Sequence, residues 1–139
     1  MTVFPFERSG DLITVTARVW GAHGDRELLL VLDTGAAATS IEPAILEELG
    51  YSSRDAILRT RVPTPAGLQQ GRLFRVDRFH ALGADLSNFV VQALALADEY
   101  GVDGLLGMNF LENYNFTVRP GDRQIHLEPV ESGESPPAG

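Results

Sequence analysis

Residues 28–39 read LLLVLDTGAAAT, and this stretch constrains the chain more than any other. Five apolar residues, 28–32, lead into Asp33, and Thr34, Gly35 and Ala36 follow. A continuous apolar run of this length reads as a strand covered on both faces. A carboxylate at the mouth of such a strand is costly to bury without compensation, so it points to chemistry or to a bound cation. Glycine two positions later frees the backbone to turn and lets a second backbone approach closely. The expected local structure is a carboxylate held rigidly at the end of a sheet.

Outward from this core, residues 11–20 alternate in strand fashion and residues 21–25 form a turn. With residues 27–32 they predict a hairpin that carries Asp33 at its tip. An extended segment at 39–41 leads to a short helix at 43–49, with Pro43 at its first position and Gly50 closing it. Residues 57–63 and 68–79 predict a second hairpin, turned at Thr64, Pro65, Ala66 and Gly67. A strand is expected at 89–96, and Leu105, Leu106 and Gly107 precede a short helix at 108–113. Strands at 116–118 and 124–127 flank a turn at Pro120, Gly121 and Asp122. Residues 131–139 are polar and rich in Pro and Gly, which predicts a disordered tail behind a domain of residues 1–130. Short strands at close intervals with two brief helices indicate a mostly-β fold. Hairpin, apolar run, glycine turn and helix occur once in 11–49 and more loosely in 57–113, a weak internal duplication.

The 139 residues fit one domain, and 44% hydrophobic content is enough for a core. The absence of cysteine excludes disulfides, thiolate metal sites and a Cys nucleophile, and fits a reducing, cytoplasmic setting. The opening MTVFPFERSG lacks the basic and apolar regions of a signal peptide. No apolar run reaches the ~20 residues of a membrane helix, so no membrane partner is expected. A net charge of −8 argues against nucleic acid as a partner. His23, His80 and His126 have no metal-site spacing, so neither metal nor other cofactor is expected. All 11 Lys-plus-Arg residues are Arg, and six of them (Arg54, Arg59, Arg61, Arg72, Arg75, Arg78) lie where the only acids are Asp55 and Asp77. This reads as the solvated face of a hairpin, or else as a positive lid that favours acidic substrates.

Two motifs stand in order, LLLVLDTGAAATSI at 28–41 and VDGLLGMNFL at 102–111. Together they resemble the retropepsin-like aspartic proteases, the single-domain relatives of the pepsins. The resemblance implies a closed, barrel-like β lobe with one or two short helices and a flap hairpin. It implies that Asp33 is catalytic and that Thr34, Gly35 and Ala36 support it. Leu105, Leu106 and Gly107 match the segment that passes behind the Asp loop, and IHLEP at 125–129 resembles the family's last strand. Thr64, Pro65, Ala66 and Gly67 stand in the place of the flap that closes over substrate. Viral members often carry an acidic pair where this chain has Ala37 and Ala38, and Arg where it has Met108. The chain is therefore more similar to cellular and bacterial members.

Peptide hydrolysis without a metal or covalent nucleophile needs an activated water and an acid for the carbonyl oxygen. Two carboxylates sharing one proton supply both, and they titrate as a unit. Pepsin is the type example of such a pair. The chain has a single Asp-Thr-Gly; Asp103-Gly104 lacks the hydroxyl residue and precedes its apolar strand. The resemblance thus implies a homodimer that sets Asp33 against its symmetry mate, with a peptide or protein as substrate. The Thr34 hydroxyl is expected to bond across that interface. Ala36 stands where pepsin-like relatives often carry Ser, which leaves one hydrogen bond to the ionised carboxylate unmade. The expected pH–rate profile peaks in the mildly acidic to near-neutral range, and a peak near about pH 2 would contradict this. Two other readings compete. One is an inactive dimeric binding or scaffolding module of the same fold. The other follows from Asp33, Gly35 and Thr39, which also resemble the first phosphate loop of actin-like ATPases, although the chain is short for that fold and lacks its second loop.

Overall fold

The chain order is β1 (Thr2–Pro5), β2 (Glu7–Ser9), β3 (Leu12–Gly21), β4 (Gly24–Leu32), β5 (Ser40–Ile41), α1 (Pro43–Glu48), β6 (Leu58–Thr64), β7 (Gly67–Ala81), β8 (Ala84–Ala93), β9 (Gly104–Leu106), α2 (Met108–Leu111), β10 (Tyr114–Arg119) and β11 (Gln124–Pro129). A 3₁₀ turn, Ser53–Asp55, follows α1. The structure, a computed structural model, describes residues 1–64, 67–96 and 101–130. The expected tail at 131–139 and the turn residues Pro65 and Ala66 lie outside the described residues. No described helix is long and apolar enough to cross a membrane.

Six strands close into a ring. The main sheet runs β2-β3-β4-β9-β5-β8-β7-β6, and β3 also pairs with β7 from Ala17↔Ala81 to Trp20↔Arg78. Closure removes most free sheet edges. The pairing repeats across the ring. Strands β3-β4 and β7-β8 are antiparallel hairpins, β4 pairs parallel with β9 as β8 does with β5, and β5 meets β9 at the centre. Each half also ends in a short helix, α1 or α2. The repeat suggested by the sequence is thus visible as a local two-fold arrangement. A separate three-stranded sheet, β1-β11-β10, joins the two ends of the described chain.

Binary patterning explains the core. Val19, Leu28, Leu30, Ile41, Val76, Val91 and Leu106 are fully buried and come from six of the ring strands. Phe79 stacks on Phe89 at 4.9 Å, and Phe110 of α2 meets both edge-on at 6.0 and 6.2 Å. Burying one such side chain contributes about 1.5–3 kcal/mol. Ile125 and Leu127 alternate inward from β11 and extend the same core. Tyr51, after α1, ties two ring strands together: its hydroxyl donates to Trp20 O at 2.7 Å and accepts from Asp77 N at 2.8 Å. Burial raises its pKa above the ordinary phenol value.

Several expectations need correction. Asp33 is not at the tip of the β3–β4 hairpin. The tip is at Ala22 and His23, and Asp33 leaves the opposite, open end of β4. There its N–H bonds to Leu106 O of β9 at 3.0 Å, which draws the chain away from β3. The sequence pattern does not announce strands β1 and β2. They are short, and β1 pairs only with the distant β11. Pro5 is tolerated because β1 is an edge strand. β8 starts at Ala84, not 89, because Leu82 and Gly83 make a two-residue turn with φ of 48° and 80°. A leucine there carries no turn signal. α2 ends at Leu111 instead of 113.

Candidate active site

Asp33 is the first residue past β4, and its loop ends at β5. Strand β9 runs between the two, parallel to β4 at Leu32↔Leu106 and antiparallel to β5 at Ser40↔Leu105. The loop therefore arches over the end of β9. Its backbone closes tightly: Gly35 N donates to Asp33 Oδ1 at 2.9 Å and Ala36 N to Asp33 O at 3.2 Å. Asp33 is half-buried, while Thr34 and Gly35 are exposed. Among the described residues, no Arg or His pairs with the Asp33 carboxylate. The result is an uncompensated carboxylate with a fixed position and an accessible face, able to act as acid, base or one half of a proton-sharing pair.

The second motif lies beneath it. Met108 N donates to Ala36 O at 2.7 Å and Asn109 N to Ala37 O at 3.0 Å, so the start of α2 is stitched to the far side of the loop. Gly107 is required by close approach: a Cβ there would lie 2.6 Å from the carbonyl of Ala38 and 2.8 Å from Ala36 O. Leu106 is buried and Leu105 partly so, and both serve as a floor. The structure thus brings Asp33, Thr34, Gly35, Ala36, Leu105, Leu106 and Gly107 together. Thr64 and Gly67 pair with each other at the tip of the β6–β7 hairpin. There the Thr64 hydroxyl donates to Gly67 O at 2.7 Å.

Two polar residues hold the loop without any sequence signal for that role. Thr39 is fully buried, and its hydroxyl accepts from Gly107 N at 3.1 Å and donates to Asn109 Oδ1 at 2.8 Å. Asn109 Oδ1 also accepts from Thr39 N, and Nδ2 donates to Val90 O, each at 2.8 Å. Thr39 is therefore an internal clamp on the loop, not a phosphate ligand, and the fold differs from the actin-like expectation. Asp103 is likewise structural: its Oδ2 accepts from Leu29 N at 2.8 Å. Replacing Thr39 with Val keeps shape but leaves the Gly107 N–H unpaired in the core. Thr39→Val is expected to cost about 1–3 kcal/mol, read as a lower urea midpoint at unchanged m-value.

A surface depression lined by His23, Glu47, Tyr51, Ser53 and Arg72 includes none of the Asp33 loop. Among the described residues, the Arg-rich segment is mostly without ion-pair partners. Arg59 faces Arg72 across β6–β7, while Arg78 lies 4.2 Å over the Trp20 ring and bonds Asp85.

The sequence profile of a family described as aspartyl protease matches residues 15–110. No curated protein matches the chain significantly. Among solved structures, the fold is similar to the crystal structure of a retropepsin-like aspartic protease from Rickettsia conorii. That match has a TM-score of 0.64 and 18% identity over 91% of this chain and 88% of that one. The matched span contains both the Asp33 loop and the second motif that supports it, and the chain belongs to the aspartyl protease family, with a retropepsin-like fold.

Proposed function

We propose that this chain is an aspartic endopeptidase that works as a homodimer, with Asp33 of each protomer forming the catalytic pair. The observation that carries this reading is the Asp33 carboxylate itself. It is held by Gly35 N–H on a loop clamped from below, and it has no cationic partner among the described residues. Its half-buried position beside the exposed Thr34 suits a surface that a second copy covers. In the pair, one ionised carboxylate takes a proton from water and the protonated one donates to the scissile carbonyl. A two-fold axis is the simplest way for a chain with one such loop to supply both groups.

In this reading the Thr34 hydroxyls bond across the axis, and Gly35 and Ala36 keep the loop narrow enough for the two carboxylates to meet. Leu105, Leu106 and Gly107 hold it from behind. The β6–β7 hairpin, with its tip at Thr64, Pro65, Ala66 and Gly67, closes over an extended peptide and excludes water. A cleft shared by two protomers is only half-formed in one, which accounts for the open surface at Asp33. The cysteine-free composition supports action in a reducing compartment such as the cytoplasm. The test is digestion of a peptide library by the wild type and by Asp33→Asn. Cleavage by the wild type alone supports the assignment. Cleavage by neither points to a binding module, and equal cleavage by both removes Asp33 from the chemistry.

A further inference from the structure

Gln92 is one of four buried polar residues in the chain's described core, at 7% exposure, and it lies on β8 among apolar neighbours. Its backbone N–H donates to Thr39 O at 2.8 Å, at the base of the Asp33 loop. Its side chain points the other way along the sheet. Nε2 donates to Thr60 Oγ1 at 3.0 Å. Thr60 is on β6, two strands away, and β7 runs between them. The amide crosses β7 directly over Gly71, the residue paired with Thr60. A Cβ at Gly71 would lie 2.7 Å from both Gln92 Nε2 and Thr60 Oγ1. Gly71 has no left-handed backbone to require glycine. A glycine inside a strand weakens it, and a buried amide needs a partner to be tolerated. Thr60, Gly71 and Gln92 together therefore form a side-chain bridge with space cleared for it. The hydroxyl can donate or accept, so the bridge forms with the amide in either orientation.

The bridge has a mechanical consequence. β6 is the outer strand of the main sheet, and among the described strands it pairs with β7 alone. Through Gln92 it gains a second anchor, on β8, where the Gln92 N–H also bonds Thr39 O at the base of the Asp33 loop. The hydrogen-bonded series runs Gly107 N, Thr39, Gln92, Thr60. Beyond Thr60, residues 61–64 and 67–70 extend from the anchor toward the hairpin tip.

We propose that Thr60 and Gln92 are positioning residues whose bridge over Gly71 locks the root of the β6–β7 hairpin to the Asp33 loop, and so sets where the hairpin meets substrate. The substrate half of this statement rests on the peptidase reading; the mechanical half does not.

The two halves are tested separately. Hydrogen exchange of the free protein is compared for wild type, Gln92→Met, Thr60→Val and Thr60→Ser. In the first two variants, amides of residues 61, 62, 64 and 67–70 are expected to exchange about fivefold faster or more, as for loss of one ordinary hydrogen bond. Thr60→Ser keeps the hydroxyl and is expected to match wild type, and β10 and β11 to remain unchanged in all. On a peptide that the wild type cleaves, KM is expected to rise about fivefold with kcat within about twofold, and the double variant to be no worse than either single one. Unchanged exchange at the hairpin, or faster exchange spread equally over β10 and β11, overturns the bridge. A looser hairpin with unchanged KM overturns its role toward substrate. A wild type that cleaves nothing overturns the peptidase reading instead, while the exchange result still decides the bridge.

Discussion

Asp33→Asn is expected to lower kcat/KM by at least about a thousandfold while leaving the fold intact, because it removes the ionisable group of the loop at residues 33–39. The substitution is mild in structural terms. The Asn Oδ1 still accepts from Gly35 N, and the backbone bonds from Ala36 N to residue 33 and from residue 33 to Leu106 O do not involve the side chain. No ion pair is lost among the described residues. Thermal unfolding of the variant is therefore expected within about 0.5 kcal/mol of wild type, the range of a substitution without a packing or pairing role. Mixing gives a sharper result. If the pair spans two protomers, equal amounts of wild type and Asp33→Asn, allowed to exchange subunits, leave only about a quarter of the dimers with two aspartates. Activity per total dimer should fall to that fraction, below the half expected when each chain works alone. A value of one half after subunit exchange rules out a shared pair.

The Asp33 loop was legible because its information is local. An apolar strand, an acid, a hydroxyl and a glycine stand within a few positions of one another, and each constrains the backbone in a known way. The mostly-β architecture and the β6–β7 hairpin were legible for the same reason, since alternation and a Pro-Gly turn are short-range signals. What escaped depends on distant pairings. Thr39 and Asn109 are 70 residues apart, and neither type signals a buried clamp until β9 is threaded between β4 and β5. The contact of β3 with β7 closes the ring, yet nothing in Ala17 or Ala81 specifies a partner. Thr39 shows the hazard of reading such a residue alone: its spacing from Asp33 suggested a phosphate loop, whereas its hydroxyl is engaged by Gly107 and Asn109. Gly71 gave no signal of its role either, because the groups that need its space come from β6 and β8.

Gly107→Ala is expected to be strongly destabilising, at about 3 kcal/mol or more. The added Cβ would lie 2.6 Å from both the C and O atoms of Ala38 and 2.8 Å from Ala36 O. These are backbone atoms, so no rotamer change relieves the contact. The loop cannot retreat without losing the bonds from Met108 N to Ala36 O and from Asn109 N to Ala37 O, and the strand cannot retreat without breaking Gly107 N from Thr39. Replacing Gly by Ala also stiffens the unfolded chain, but that gain is at most about 1 kcal/mol and does not offset the clash. In a chain of 139 residues the net change corresponds to a fall in Tm on the order of 10 °C, with loss of activity because Asp33 moves with its loop. Gly121→Ala is the matched control: nothing lies within 4 Å of its built Cβ, so a change within about 0.5 kcal/mol is expected. If Gly107→Ala melts with the control, the segment behind the Asp33 loop is not packed as tightly as these distances require, and the loop owes its rigidity to Thr39 and Asn109 alone.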